Sequence, residues 1–388
     1  MEDNVNETGK VLRMKKMLIF NTALAPYMID QYNDLNKLYE VKVVFLNANV
    51  TYDKFDQHKL LGQLDCRYSY LLKGLAHKDR VFRFGVYRTI RSFNPDFIIS
   101  YEYSFTTQYL LLLKKVRLIK QKIGSTIDDS LEICNNVQSK VRLFARKFAV
   151  NRLDFLVVLS EEVSKFYQNT FQLSEDRIII SPILQNPDRL RANGEELESI
   201  ASIYLDEYNL KGKKILLYVG RFVEAKGLVE FINTIHKILI ERENTVLVLV
   251  GAGEEKQKIE LEIDSKLLQT KVLMPGRIEG DALYAWYVCA SGFVLPSVYE
   301  PYGAVVNEAL IFGSRVFCSK YAGAASLIGS DSSGIVFNPS NTDETVDKFQ
   351  AFLNSLQIVD KIDLKGRLSL MMDTYIDFVN EWKKIDIH

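Results

Sequence analysis

Residues 215–232 read ILLYVGRFVEAKGLVEFI. Five apolar residues run into Gly220, a basic turn carries Arg221 and Lys226, and a segment with helical spacing of Leu, Val, Phe and Ile opens around Gly227. This is a strand, a tight turn and a helix, the repeating unit of a parallel sheet. The same unit recurs in both directions. Upstream, short runs rich in Val, Ile, Leu and Phe predict strands at 17–21, 41–46, 97–100, 118–124, 155–160 and 178–181. Downstream they predict strands at 245–250, 272–275, 292–296, 315–319 and 335–338. Longer segments of helical periodicity separate them, so the class is α/β with helices on both faces of each sheet.

The alternation breaks at Pro182 and Pro187, and a polar stretch leads to the strand at 215–220. The expected organisation is a disordered leader at 1–13, a Rossmann-like domain at 14–185, a linker at 186–212, a second such domain at 213–360 and a helical segment at 361–388. Two doubly wound domains bind ligands at the carboxyl ends of their strands, so a central cleft with one wall from each is the expected site.

The chain has 388 residues, 47% hydrophobic and 25% charged, enough for two or three packed domains. Lys and Arg number 49 and Asp and Glu 49, so no net field draws the molecule onto nucleic acid. Residues 1–200 carry 29 basic and 24 acidic side chains, against 20 and 25 in the remainder. The first half therefore suits an anionic surface better. Cys66, Cys134, Cys289 and Cys318 are far apart, and no CxxC motif or His at metal-ligand spacing accompanies them. Neither a disulfide framework nor a zinc site is expected, and a reducing cytosol is. The polar start lacks an apolar signal core, and no run approaches the 18 apolar residues of a membrane span. The expected location is cytoplasmic, with peripheral contact at the inner face of the cell membrane.

The segment LPSVYEPYGAVVNEAL, residues 295–310, carries the clearest chemistry. A strand ends near Pro296, and a helix opens near Gly303, where bare backbone N–H groups suit a phosphate. Glu308 lies roughly 6–9 Å further along the helix axis, the offset of a ribose from its phosphate. Three residues after Val305 and four before Phe312, it shares their inward side. A carboxylate accepts from two neighbouring hydroxyls at once, so Glu308 reads as a ribose clamp and Glu300 as a holder of sugar hydroxyls. The competing reading is a surface acid on an ordinary amphipathic helix. In the first segment, Arg221 and Lys226 beside a helix start suit a diphosphate and the charge that builds as it leaves; otherwise they solvate a loop.

These motifs, GRFVEAKG, EPYGAVVNEA and GSRVFCSKYAGAASLIGSDSSGIVFNPSN, resemble the retaining glycosyltransferases of family 4 in order and spacing over about residues 213–345. The resemblance implies the GT-B fold, with its carboxy-terminal helix crossing back onto an acceptor-binding first domain. It implies a metal-independent donor site for a nucleotide-diphospho-sugar, which is a co-substrate, with no resident cofactor. Gly220, Arg221 and Lys226 would meet the diphosphate, Glu308 the ribose and Glu300 the transferred sugar. Backbone N–H groups at Tyr302, Gly303, Ala304 and Val305 would complete the phosphate site, and Arg277 and Ile278 would face the base. The chain departs from the family pattern in three places. Ser326 or Ala325 stands where a glutamate is usual, NTALAPYMIDQY (21–32) replaces a glycine-rich loop, and His58 and His77 match no first-domain histidine near the reacting centre.

On the acceptor side, Asp128 and Asp129 in GSTIDDSLE can orient an acceptor hydroxyl or take its proton; equally, they can cap a helix. Residues 114–152 hold ten basic side chains against three acidic ones, a face for anionic lipid carrying a lipid-linked acceptor, or a solvated helix surface. A dinucleotide reading of LVLVGAGEEKQ (247–257) fails, because Lys256 occupies the third glycine position. The expected activity is hexose transfer to a glycan or lipid-linked glycan in capsule, lipopolysaccharide or exopolysaccharide synthesis. The alternative is a non-catalytic sugar-nucleotide binder.

Overall fold

The computed structural model describes residues 13–50, 54–77, 80–136, 139–329, 332–359 and 361–386. The expected leader, apart from Arg13, lies outside them. The first of two units comprises the described parts of Met1–Asp128, Cys134–Ile183 and Asp377–His388; the second comprises Asp129–Ile133 and Leu184–Ile376.

The first unit holds β1 (Lys16–Asn21), β2 (Glu40–Phe45), β3 (Arg67–Tyr70), β4 (Gly74–His77), β5 (Arg80–Arg83), β6 (Phe97–Tyr101), β7 (Lys122–Ile127), β8 (Phe155–Val158) and β9 (Ile178–Ile180). Seven of them form a sheet in the order β3-β2-β1-β6-β7-β8-β9, every pairing parallel, and β4 and β5 form a separate antiparallel hairpin. Successive side chains of a strand face opposite ways, so Leu18 and Phe20 enter one core and Met17 and Ile19 the other. Both faces are thereby covered, which is why the strands read as continuous apolar runs.

The second unit holds β10 (Lys214–Val219), β11 (Thr245–Val250), β12 (Val272–Gly276), β13 (Gly292–Leu295), β14 (Arg315–Ser319) and β15 (Gly334–Phe337), all parallel, in the order β12-β11-β10-β13-β14-β15. The order reverses direction between β10 and β13. That switch point brings together the loops that follow these two strands, and those loops carry Lys226 and Glu300. Both units are Rossmann-like, and the architecture is GT-B.

Four expectations meet a different outcome. The strand expected at 118–124 runs from Lys122 to Ile127, because Leu118 closes the preceding helix through its N–H to the Leu113 carbonyl (2.9 Å) and is 50% exposed. β3 and the β4–β5 hairpin went unanticipated; they are short, and Tyr68 and Leu75 on them face solvent. The stretch expected as a linker is largely helical. Its helix Gly194–Glu207 buries Leu197, Ala201 and Leu205 at four-residue spacing and stacks Tyr204 on Trp286 at 4.5 Å. In the carboxy-terminal segment, helix begins only at Met372, and the turns before it are held by arginines: Arg367 donates to the Val288 and Ala290 carbonyls, and Arg191 to those of Ile311 and Arg367. The chain then returns to the first unit. Trp382 and Ile385 are buried in its core, Trp382 Nε1 donates to Ser181 Oγ (3.0 Å), and Tyr39 donates to Asp386 (3.0 Å).

Candidate nucleotide-sugar site

The turn after β10 is shaped by Tyr218. Its buried hydroxyl donates to the Arg221 carbonyl at 3.0 Å, and a Cβ on Gly220 would lie only 2.8 Å from the Tyr218 hydroxyl oxygen. Glycine lets the chain turn over the phenol. Gly227, at φ 62°, then starts the helix Leu228–Glu241 without a side-chain cap. A Cβ there would press on the Pro296 carbonyl at 3.0 Å. The loop after β13 is thus in close contact with this turn, and the N–H groups of Val298 and Tyr299 both donate to the Ala225 carbonyl (3.0 and 3.1 Å).

Across this contact Lys226 Nζ pairs with Glu300 Oε2. Glu300 is buried, and a backbone bridge with Ala322 holds its loop against the segment after β14. Burial, helped by the negative charge of Glu300, pushes the Tyr218 hydroxyl pKa far above the ordinary tyrosine range. Gly303 follows at φ 93° and opens the helix Ala304–Ile311, again with no side-chain cap, so backbone N–H groups of the first turn face the loop end. A Cβ on Gly303 would meet Leu295 Cδ2 at 2.9 Å and Glu300 Cγ at 3.3 Å.

Glu308 lies on that helix, half-buried, and both its oxygens are held. Gln185 Nε2 donates to Oε1 at 2.7 Å and the Tyr287 hydroxyl to Oε2 at 2.8 Å. Burial raises the Glu308 pKa, while these two bonds and the charge of Arg189 pull it back. The residue is therefore a partnered inward acid, as its register beside Val305 and Phe312 suggests.

The structure thus brings Gly220, the Arg221 backbone, Lys226, Glu300 and Gly303 into one neighbourhood, with Tyr302, Ala304, Val305 and Glu308 following on the same loop and helix. Arg277 pairs with Glu279 at 2.6 Å in the exposed loop after β12, and Ile278 beside it is half-buried. Asp128 ends the first unit's chain segment and Asp129 begins a piece of the second. Ser130, not among the expected cap residues, accepts from the Ile133 N–H through its hydroxyl (3.4 Å). Ser326 turns its hydroxyl to the Gly323 carbonyl (2.9 Å) in its own turn.

Sequence reasoning missed Gln185, Tyr287 and Arg189. Gln185 sits in PILQNP, which reads as a break in pattern, and Tyr287 sits in DALYAWYVC, which reads as plain core. Among the described residues, no group of three or more His, Cys, Asp and Glu side chains is placed to hold a metal ion, and no helix is long and apolar enough to cross a membrane.

Residues 204–367 match the family model described as Glycosyl transferases group 1. That stretch of the chain is similar to the family. It is 37% identical over 131 residues to the uncharacterized glycosyltransferase MJ1607 of Methanocaldococcus jannaschii, covering 34% of this chain and 33% of that protein. It is 22% identical over 226 residues to an alpha-D-kanosaminyltransferase of Streptomyces kanamyceticus, covering 58% of each. The matched stretches thus span a third to somewhat over half of these relatives. Similar solved structures include a glycosyltransferase from Rickettsia africae (TM-score 0.68, 16% identity, 95% of this chain and 99% of that one). Another is Alr3699/HepE of Anabaena in complex with UDP and glucose (TM-score 0.65, 14% identity, 96% and 97% covered). At these identities the likeness is one of fold.

Proposed function

We propose that this protein is a retaining glycosyltransferase that takes a sugar from a nucleoside-diphosphate donor and places it on a glycan or lipid-linked glycan in cell-surface polysaccharide synthesis. The observation that carries this is the meeting of Lys226 and Glu300 between two uncapped helix starts at the sheet's switch point. A cation and two sets of backbone donors suit a diphosphate, and a neighbouring buried carboxylate suits sugar hydroxyls. Glu308, further along the second helix, takes the ribose, and the loop with Arg277 and Ile278 faces the base. The UDP- and glucose-bound relative of the same fold and the kanosaminyltransferase support a sugar-nucleotide reading.

In the reaction, the bond from the sugar's anomeric carbon to the diphosphate oxygen breaks with its electron pair leaving on that oxygen. Arg221, Lys226 and the N–H groups at Gly303–Val305 stabilise the charge as it builds. The acceptor oxygen bonds to the same carbon from the face the diphosphate leaves, and its proton passes to a phosphate oxygen or to Asp128 or Asp129. No step in this scheme calls for a metal or a resident cofactor.

We place the protein in the cytoplasm, in peripheral contact with anionic lipid. The basic band 114–152 does not act as one face: Arg146 is buried, donating to the Cys134 carbonyl (2.9 Å) beneath the rings of Tyr103, Phe166 and Tyr167, and Lys114 pairs with Asp154. Lys115, Arg117 and Lys120 stay exposed, and so does one side of the helix Lys140–Val150. That helix has no acidic residue and exposes Val141, Leu143 and Phe144 beside Lys140 and Lys147. Such a face suits the headgroup boundary.

The test is nucleotide release from a panel of sugar nucleotides. Slow release from one donor, abolished in Glu300→Ala and Lys226→Ala with the melting transition retained, is the expected result. Thermal stabilisation by donors without any release, even with glycan acceptors added, would establish the non-catalytic binder instead.

A further inference from the structure

Glu308 is the acid that the proposed function assigns to the ribose, and its surroundings are specific. A carboxylate offers about four lone-pair directions. Two of them are taken, one on each oxygen, by Gln185 Nε2 at 2.7 Å and the Tyr287 hydroxyl at 2.8 Å. Two directions remain, one per oxygen, the number that a vicinal pair of ribose hydroxyls can fill.

Both donors are themselves fixed. Tyr287 is fully buried on the helix Asp281–Cys289, and its ring stacks on Phe312 (5.8 Å between centroids, 11° between planes) and on Phe293 (5.7 Å, 30°). Its hydroxyl has no freedom to leave Glu308 while the ring stays packed. The Gln185 amide has its orientation set at three points. Its backbone N–H donates to Asn307 Oδ1 at 2.8 Å, its side-chain oxygen accepts from Arg189 at 3.4 Å, and its side-chain nitrogen therefore turns to Glu308. Gln185 is 1% exposed, so no water shell competes for that amide. A carboxyl on a helix otherwise rotates freely about its last torsion, and the two donors suppress that rotation.

We infer that Tyr287 and Gln185 are positioning residues that hold the Glu308 carboxylate plane so that its two remaining lone pairs accept the 2′- and 3′-hydroxyls of the donor's ribose. Preorganisation of this kind lowers the ordering cost of binding and makes the site selective for a ribonucleotide. The inference rests on the reading of Glu308 as the ribose acid, and the experiment separates the two.

The probes are UDP, GDP and ADP, from which the tightest binder is chosen, and its 2′-deoxy counterpart, each titrated calorimetrically. The readout is the ratio of the two affinities in wild type, Glu308→Gln, Tyr287→Phe and Gln185→Met. The expected result is a clear ribose preference in wild type, lost in Glu308→Gln. In Tyr287→Phe and Gln185→Met it falls about tenfold, the scale of one hydrogen bond to a charged group. Affinity for the deoxynucleotide, which keeps only the 3′-hydroxyl contact, should fall less than that for the ribonucleotide in both, whereas a merely unfolded or loosened protein would lower the two alike. Tyr287→Phe keeps the stacked ring, and Gln185→Met keeps side-chain length, so the two variants perturb packing in different ways. If Glu308→Gln abolishes the preference while Tyr287→Phe and Gln185→Met retain it in full, the positioning role is wrong and the ribose reading stands. If wild type shows no preference, or Glu308→Gln keeps it, the ribose reading fails and the positioning role falls with it.

Discussion

Lys226 and Glu300 are each other's partners, Nζ against Oε2, and their side chains are only 16% and 10% exposed. A diphosphate arriving at this turn meets a lysine already engaged, so the incoming anion must displace Glu300 or share the ammonium with it. The two residues lie 74 positions apart and meet because their strands, β10 and β13, are neighbours in the sheet.

This competition is measurable. With Glu300→Gln the lysine keeps a polar neighbour but loses its counter-charge, and inorganic pyrophosphate should bind several-fold, to about tenfold, more tightly than in wild type. Lys226→Met should weaken the same binding. Calorimetric titration with pyrophosphate checks both, and weaker binding by Glu300→Gln would contradict the competition.

Glu308 predicts a pH dependence. Burial raises its pKa above the ordinary glutamate value, Gln185, Tyr287 and Arg189 oppose the rise, and the balance remains upward. Tyr287, whose own pKa is pushed far upward, stays a neutral donor throughout. Because the folded state holds this proton more tightly than the unfolded chain, ionised Glu308 detracts from stability. That loss is present above the folded pKa and recovered as the pH falls through it. Binding follows the opposite sign, since only the carboxylate accepts two hydroxyls. The affinity ratio of a ribonucleotide to its 2′-deoxy analogue should therefore decline on acidification before the ordinary glutamate range is reached. A ratio flat down to that range would show that Glu308 titrates normally.

Gly303 predicts a stability and binding defect. At φ 93° any side chain is strained, and a Cβ would stand 2.9 Å from Leu295 Cδ2 and 3.3 Å from Glu300 Cγ. Gly303→Ala should cost about 1–3 kcal/mol of stability and displace Glu300. Thermal unfolding should show a lowered midpoint, and donor-dependent stabilisation should shrink. An unchanged midpoint would mean that the loop relaxes without consequence.

The exposed helix Lys140–Val150 predicts lipid dependence. Phe144 is 74% exposed and stacks with Phe148 at 6.5 Å, and the Arg152 guanidinium covers the Phe148 ring at 4.0 Å. The protein should sediment with vesicles containing phosphatidylglycerol and leave neutral phosphatidylcholine vesicles unbound. Phe144→Glu combined with Lys147→Glu should abolish that sedimentation without altering acceptor-independent nucleotide release. Equal binding to both vesicle types, or none, removes the membrane contact from the proposal.

Much of this was written in local pattern. Runs such as TVLVLV at 245–250, buried at every position, mark a strand covered on both faces, and glycines at 220, 227 and 303 mark turns where a side chain has no room. The edge strand β3 and the β4–β5 hairpin escaped notice because solvent on one side dilutes the apolar pattern by which buried strands are recognised. The helix Gly194–Glu207 escaped because its polar face dominates its composition, and only Leu197, Ala201 and Leu205 show where it packs.

From the sequence alone came the α/β class, nearly all of the central strands, the two loop motifs and the inward register of Glu308, because each depends on residues within a few positions of one another. The tertiary structure decided the partnerships. Gln185 reaches Glu308 across 123 residues, Tyr287 across 21, and Lys226 reaches Glu300 across 74. Such pairs are set by which strands lie side by side and by how the connecting helices pack. Strand order is a property of the whole sheet, and no short stretch of chain encodes it.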